Sequence, residues 1–305
     1  MQESQFAFVG RSVAIALAIC LAPALALAQT PPEPATKAGE QVVTQAKTGT
    51  DSKTDEATKA NDAVLTKAAA LYFSTAKAGL VGFDCSVHPD WRAVFLAANN
   101  GTALADDDPR IVLLKSVDIV LHARMKGGSS LDWNPPAHPE KPLDADSTQL
   151  LDTMQGSTSQ TLQGFLQFWT PFVDGSAIPP SSDGLEMKQT DDGGYIIHVE
   201  QDGLTLTEIL SKELVVKHFN VVMDGTKVNF APAYKETADG LLVNSFEAEI
   251  SPAGATPDQA QKMHVEVEYK TIDGAPIPAS LNVEILGTGR LSFAIDHCTV
   301  NRKAN

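Results

Sequence analysis

The most regular pattern in the chain lies in its C-terminal half. Met263, Val265, Val267 and Tyr269 alternate with His264, Glu266, Glu268 and Lys270, and Leu242, Phe246, Ala248 and Ile250 face away from Ser245, Glu247 and Glu249. Successive side chains of a strand point to opposite sides, so this pattern gives a sheet with one apolar face and one wet face. β-Rich runs at 194–201, 203–209, 214–223, 226–234, 240–250, 262–272, 277–286 and 290–300 are divided by Asp202-Gly203, Asp224-Gly225, Asp239-Gly240 and Asp273-Gly274. Asp-Gly favours tight hairpins because both positions tolerate positive φ. The prediction is an antiparallel meander.

The preceding part reads mainly as helix. Val64, Leu65, Ala68, Leu71, Tyr72, Thr75 and Leu80 recur at three- and four-residue spacing, which predicts an amphipathic helix over 61–80 with Asn61 as its cap. A second helix is predicted from Ser86, with Pro89 in its first turn and Cys85 in the turn between the two. Residues 111–126 place Ile111, Leu113, Val117, Ile119 and Leu121 on odd positions, which predicts one long strand. After a Pro-rich loop, Ser147 can cap a helix carrying Leu150, Leu151, Met154, Leu162, Phe165, Leu166, Trp169 and Phe172. The fold class is therefore α+β. Eight or so one-sided strands leave more apolar surface than an open sheet can expose, so helices, a ligand or both must cover it.

The N-terminus changes the picture of where this domain works. Val13 to Ala28 is apolar or small throughout, follows Arg11, and ends Ala26-Leu27-Ala28 before Gln29. That is the form of a secretory signal cleaved near Ala28, and it is too short and Pro-broken for a membrane span. Periplasmic or secreted localisation is expected, with no transmembrane segment in the mature protein. Residues 29–60, rich in Thr, Ala, Lys and Pro, read as a flexible tether, and 61–305 as one domain with a helical insertion at about 127–184. Cleavage removes Cys20 and leaves Cys85 and Cys298, for which an oxidising compartment favours a disulfide over two separate buried thiols.

Charge removes some partners. The chain has 23 Lys and Arg against 38 Asp and Glu, a net −15, with 43% hydrophobic residues. With no basic run, nucleic acid and anionic lipid headgroups are poor partners. Residues 101–192 alone carry 14 acids against 6 bases, which marks the loops and the inserted helix as an acidic surface for a partner.

Catalytic signals are absent from the sequence. His88, His122, His138, His198, His218, His264 and His297 form no H-E-x-x-H and no metal-spaced pair, so they are expected to be solvated or paired across strands rather than metal ligands. Asp106-Asp107-Asp108 lacks the alternating spacing of a calcium loop and reads as a solvated loop. No G-x-S-x-G motif or phosphate loop occurs. A non-enzymatic protein without metal or cofactor is the expectation.

The C-terminal meander also carries a resemblance. Val228-Asn-Phe, Ala233-Tyr-Lys-Glu-Thr-Ala-Asp-Gly-Leu-Leu-Val, His264-Val-Glu-Val-Glu-Tyr-Lys-Thr-Ile-Asp-Gly-Ala-Pro-Ile-Pro-Ala-Ser-Leu and the closing run Leu291 to Val300 resemble the periplasmic lipoprotein-carrier and outer-membrane lipoprotein-sorting superfamily, over about 185–300. The resemblance implies a curved antiparallel half-barrel with helices over its apolar face, and a hollow that holds a lipid or other apolar ligand, lipoprotein acyl chains included. On that reading Leu162, Phe165, Phe168, Trp169 and Phe172 from the helix and Ile119, Phe246, Val265 and Val267 from the sheet are the candidate pocket residues. Read from its spacing alone, such an aromatic stripe is more often plain core, because a helix must bury that face somewhere. The competing expectation is an envelope structural or interaction protein with a self-filled core and an acidic partner surface.

Overall fold

The computed structural model describes residues 52–98, 102–126, 128–136, 144–174, 177–201, 203–287 and 289–303. The predicted signal segment and residues 29–51 of the predicted tether lie outside them, as do His138 and Asp202.

The chain forms helix α1 (Ser52–Ala70), strand β1 (Leu80–Pro89), helices α2 (Trp91–Ala98) and α3 (Pro109–Lys115), strands β2 (Asp118–Arg124) and β3 (Gly128–Asn134), then the long helix α4 (Ala145–Asp174). Nine strands follow: β4 (Glu186–Gln189), β5 (Tyr195–Gln201), β6 (Leu204–Leu210), β7 (Val216–Met223), β8 (Thr226–Thr237), β9 (Gly240–Ser251), β10 (Gln261–Ile272), β11 (Ala275–Ile285) and β12 (Gly289–Arg302). All twelve belong to one open antiparallel sheet in the order β3-β2-β1-β12-β11-β10-β9-β8-β7-β6-β5-β4. The meander read from the sequence is present, and β1 to β3 extend it beyond β12.

Turn chemistry and register agree with the residues. Asp224 and Gly225 have φ of 50° and 76°, and Asp273 and Gly274 have 49° and 77°, so both central residues of each hairpin are left-handed. Asp239-Gly240 serves a different purpose. Gly240 has φ 121°, and a Cβ there would lie 2.8 Å from the Leu71 carbonyl oxygen and 2.9 Å from the Phe73 nitrogen. The segment after α1 docks there, with Leu241 N–H donating to Leu71 O (2.7 Å) and Phe73 N–H to Leu241 O (2.9 Å). Across β8, β9 and β10 the register stacks Phe230, Ala248 and Met263, then Phe246 and Val265, all buried.

Four predicted elements differ from the structure. Leu80–Pro89 is a strand and not a turn followed by a helix: Phe83, Cys85 and Val87 are buried on one face, and α2 begins only at Trp91. Asp90 caps that helix by accepting from Arg92 N (3.1 Å) and Ala93 N (3.2 Å). Residues 111–126 are not one strand. Asp108 accepts from Arg110 N (3.0 Å) and Pro109 starts α3, so Ile111 and Leu114 bury at helical spacing while Val112 is 53% exposed. The predicted insertion also contains β3, whose buried side is limited to half-buried Ser129, Leu131 and Trp133, a weak apolar signal suited to an edge. Finally, α1 begins at Ser52, so Asn61 lies within the helix and does not cap it.

Cys85 and Cys298 are joined, with Cα atoms 4.1 Å apart and a sequence separation of 213. The bridge links neighbouring strands β1 and β12, and not a helical hairpin to the last strand. The register runs from Asp84↔Thr299 to Ser86↔Asp296, which leaves His297 and Cys298 both opposite Cys85. This is a β-bulge, and His297 takes the left-handed conformation it requires, φ 46°.

The helix α4 leaves β3 at one edge of the sheet and returns the chain to β4 at the other. Its 30 residues span about 45 Å at 1.5 Å each. Asp144 accepts from Ser147 N (2.7 Å), so Asp144 and not Ser147 caps it.

Candidate functional site

The aromatic end of α4 meets five strands. Phe168 stacks on Phe230 of β8 (centroids 4.8 Å apart) and touches Phe246 of β9 (4.1 Å), and Phe172 meets Phe219 of β7 edge-on (5.5 Å). Trp169 packs edge-on against Phe83 of β1 (6.2 Å) and alongside Phe165 (6.3 Å). Its indole N–H donates to the Tyr269 hydroxyl of β10 at 2.8 Å, which in turn donates to Val243 O at 2.5 Å. Burial pushes the Tyr269 phenol up, and the Trp169 bond opposes this. All nine candidate pocket residues are buried. The structure brings Phe168 and Phe246 together, with Val265 paired opposite Phe246 and Val267 two residues further along β10. Ile119 sits on β2, beyond β1, β12 and β11 from β10, and is core of a different part of the sheet.

A further interior group was not among the candidates. Glu208 of β6 is fully buried, and neither carboxylate oxygen has a hydrogen-bond partner among the described residues. It is paired across the sheet with Ile197 and Phe219. The signal was in the sequence: Leu204, Leu206 and Leu210 set the apolar register of the run, and Glu208 occupies that register where an aliphatic residue belongs. Burial raises its pKa well above the ordinary carboxyl range and so favours the protonated form.

Two tyrosines share this environment. Tyr72, placed by the docking at Gly240, accepts from Val216 N at 2.8 Å and packs edge-on against Tyr234 (5.3 Å). Burial pushes Tyr72 to about 12, with the Val216 bond opposing it. Tyr234 is raised by burial and by Tyr72 beside it. Its hydroxyl neighbours that of Tyr72, but the two do not close a hydrogen bond of normal geometry, and it has no other partner among the described residues. Glu208, Tyr234 and Tyr72 thus put a neutral acid and phenols into an otherwise apolar interior.

On the exposed face several of the described histidines pair with neighbouring polar side chains. His122 meets Asp84 (2.6 Å) and Asp132 (3.1 Å), His264 meets Glu247 (2.5 Å) and Glu266 (3.3 Å), and His198 meets Thr207 (3.0 Å). Partial burial tends to raise Asp84, but bonds from Asn301, His122 and Arg124 outweigh it and hold the carboxyl at about 2. The Asp84 bond raises His122. Asp106 pairs with Arg92 and Lys115, and Asp108 with Arg110, so cations and a helix start account for this acidic run. His88 pairs with Asp296 across the β1–β12 seam and has no free thiol to activate, since Cys85 is in the disulfide.

No protein-family model and no curated protein matches the chain. The site is therefore read from its own chemistry. Among the described residues no helix is long and apolar enough to cross a membrane. A buried neutral carboxyl can donate one hydrogen bond and accept others, and two phenols add donors and acceptors. This set can hold the polar end of an apolar molecule.

Proposed function

We propose that this chain is a non-catalytic binding protein of the periplasm or the secreted compartment. In this reading the sheet is a curved half-barrel, α4 is the cover of its apolar face, and the hollow holds a lipid or another apolar ligand that ends in a hydroxyl or amine. The observation that carries it is Glu208, a fully buried carboxyl on the apolar face without a hydrogen-bond partner among the described residues. Leaving such a group unpaired costs about 1–3 kcal/mol, and a ligand group that pairs with it removes that cost. The β1–β12 disulfide suits an oxidising compartment. The resemblance over 185–300 implies lipoprotein acyl chains as one apolar ligand for the hollow.

Ligand entry requires α4 to move, because Phe168 lies against Phe230 and Phe246. That ring packing is also the observation favouring the second reading, an envelope interaction protein whose hollow is filled by its own helix and whose acidic surface meets a partner. Native mass spectrometry of the full chain, purified without detergent from the compartment it occupies, separates the two. A single lipid-sized adduct released by organic extraction supports the binding protein. A bare protein mass, with one stable neighbour captured by crosslinking in cells, supports the second reading.

A further inference from the structure

The bulge in β12 has a chemical consequence on the exposed side of the sheet. In a regular strand Asp296 and His297 would point to opposite faces. Here Phe293 and Ile295 are buried before the bulge, and half-buried Cys298, tied to Cys85, resumes the inward register after it, so Asp296 and His297 both face outward. His88, at the end of β1, stands diagonally across the seam, since Ser86 pairs with Asp296 and His88 with Ala294. One ligand atom from each of the three residues lies within 4.8 Å of the others. His88 Nε2 is 3.0 Å and His297 Nδ1 2.7 Å from the same Asp296 oxygen.

We propose that His88, Asp296 and His297 form a binding site for a divalent transition metal of the zinc and nickel class. Two imidazoles and one carboxylate are a donor set suited to these ions and poorly suited to calcium or magnesium, which take all-oxygen shells. Bonds of about 2.0–2.2 Å from a shared metal place its ligands about 3–3.5 Å apart, so small rotations of the three side chains suffice. The frame is held from the other side of the sheet: the disulfide fixes β1 against β12 within three residues of every ligand. The left-handed backbone at a histidine, where glycine or asparagine costs less, is strain that serves to present this side chain beside Asp296. His88, 208 positions away from Asp296, could not have been joined to the pair by motif spacing. The metal would add a second clip across the seam and leaves open positions for water or an external ligand. The site is independent of the interior one.

The test is isothermal titration calorimetry of the untagged, disulfide-intact protein, stripped with chelator, against zinc and then nickel, with calcium as the negative control. One equivalent of zinc or nickel per chain and no calcium binding is expected. His88→Gln and His297→Asn should each weaken zinc at least about tenfold with unchanged melting temperature in chelator; asparagine is chosen because it tolerates the left-handed backbone. His198→Gln should leave zinc binding unchanged. Substoichiometric zinc binding by the native protein, or zinc affinity unaltered in both His88→Gln and His297→Asn, would overturn the proposal.

Discussion

Trp169 of α4 donates its indole N–H to the hydroxyl of Tyr269 on β10, and that hydroxyl donates onward to the Val243 carbonyl of β9. One phenol therefore ties the long helix to two strands in the middle of the sheet. Tyr269→Phe keeps the ring but leaves the indole donor and the Val243 acceptor unpaired. The expected loss is about 1–3 kcal/mol, read by urea unfolding with tryptophan fluorescence. An unchanged midpoint would show that water replaces the phenol and that α4 is not held there.

The Cys85–Cys298 bridge closes a loop of 213 residues. In the chain-entropy account such a loop contributes up to about 5 kcal/mol by restricting the unfolded chain. The double variant Cys85→Ala, Cys298→Ala is expected to lose a large part of this in equilibrium unfolding, and reductant should destabilise the native protein but not the variant. A loss under about 1 kcal/mol would mean that the β1–β12 ladder alone holds the seam.

Glu208 gives a pH signature with a definite sign. In the unfolded chain it titrates near the ordinary value of about 4.3, whereas burial keeps the folded carboxyl protonated to higher pH. Below the unfolded value both states hold the proton. Above it the unfolded state releases its proton first, so this group's contribution falls as pH rises until the folded carboxyl ionises. Glu208→Leu restores the apolar register of Leu204, Leu206 and Leu210 and removes that slope. Its stability gain over the native protein is expected to be larger at pH 8 than at pH 4. Urea unfolding at the two pH values checks this, and equal gains would mean that water or a protein group already satisfies the carboxyl.

The strands from β5 onward were legible because alternation agrees with the Asp-Gly dipeptides between β5 and β6, β7 and β8, β8 and β9, and β10 and β11, and both signals are local. Other elements were hidden for specific reasons. In β1 the inward set Phe83, Cys85 and Val87 was written in the sequence, but Gly82 and Pro89 read as turn and helix start. The helix α3 was masked because Ile111 and Leu113 fit period two while Ile111 and Leu114 fit period 3.6, and only the Asp108-Pro109 start separates the two readings. As an edge strand with three half-buried residues, β3 offers almost no apolar period. The aromatic stripe was visible, and its partners on β7 to β10 follow only from the pairing order. Glu208 could have been found by asking which residue breaks the apolar register of its strand. The His88, Asp296 and His297 cluster depended on a bulge, whose one trace is the phase shift from Phe293 and Ile295 to Cys298 and Val300.

The measurement that bears most directly on the proposed role is a fluorescence titration with N-phenyl-1-naphthylamine, followed by displacement with dodecan-1-ol, on the native protein and on Glu208→Leu. The account expects one saturable probe site per chain with blue-shifted emission. It also expects dodecan-1-ol to displace the probe about tenfold more weakly from Glu208→Leu, the loss of about 1.4 kcal/mol that goes with the missing hydrogen bond. No saturable enhancement in the native protein, or identical displacement from both proteins, would contradict a ligand-holding hollow with Glu208 as its polar contact.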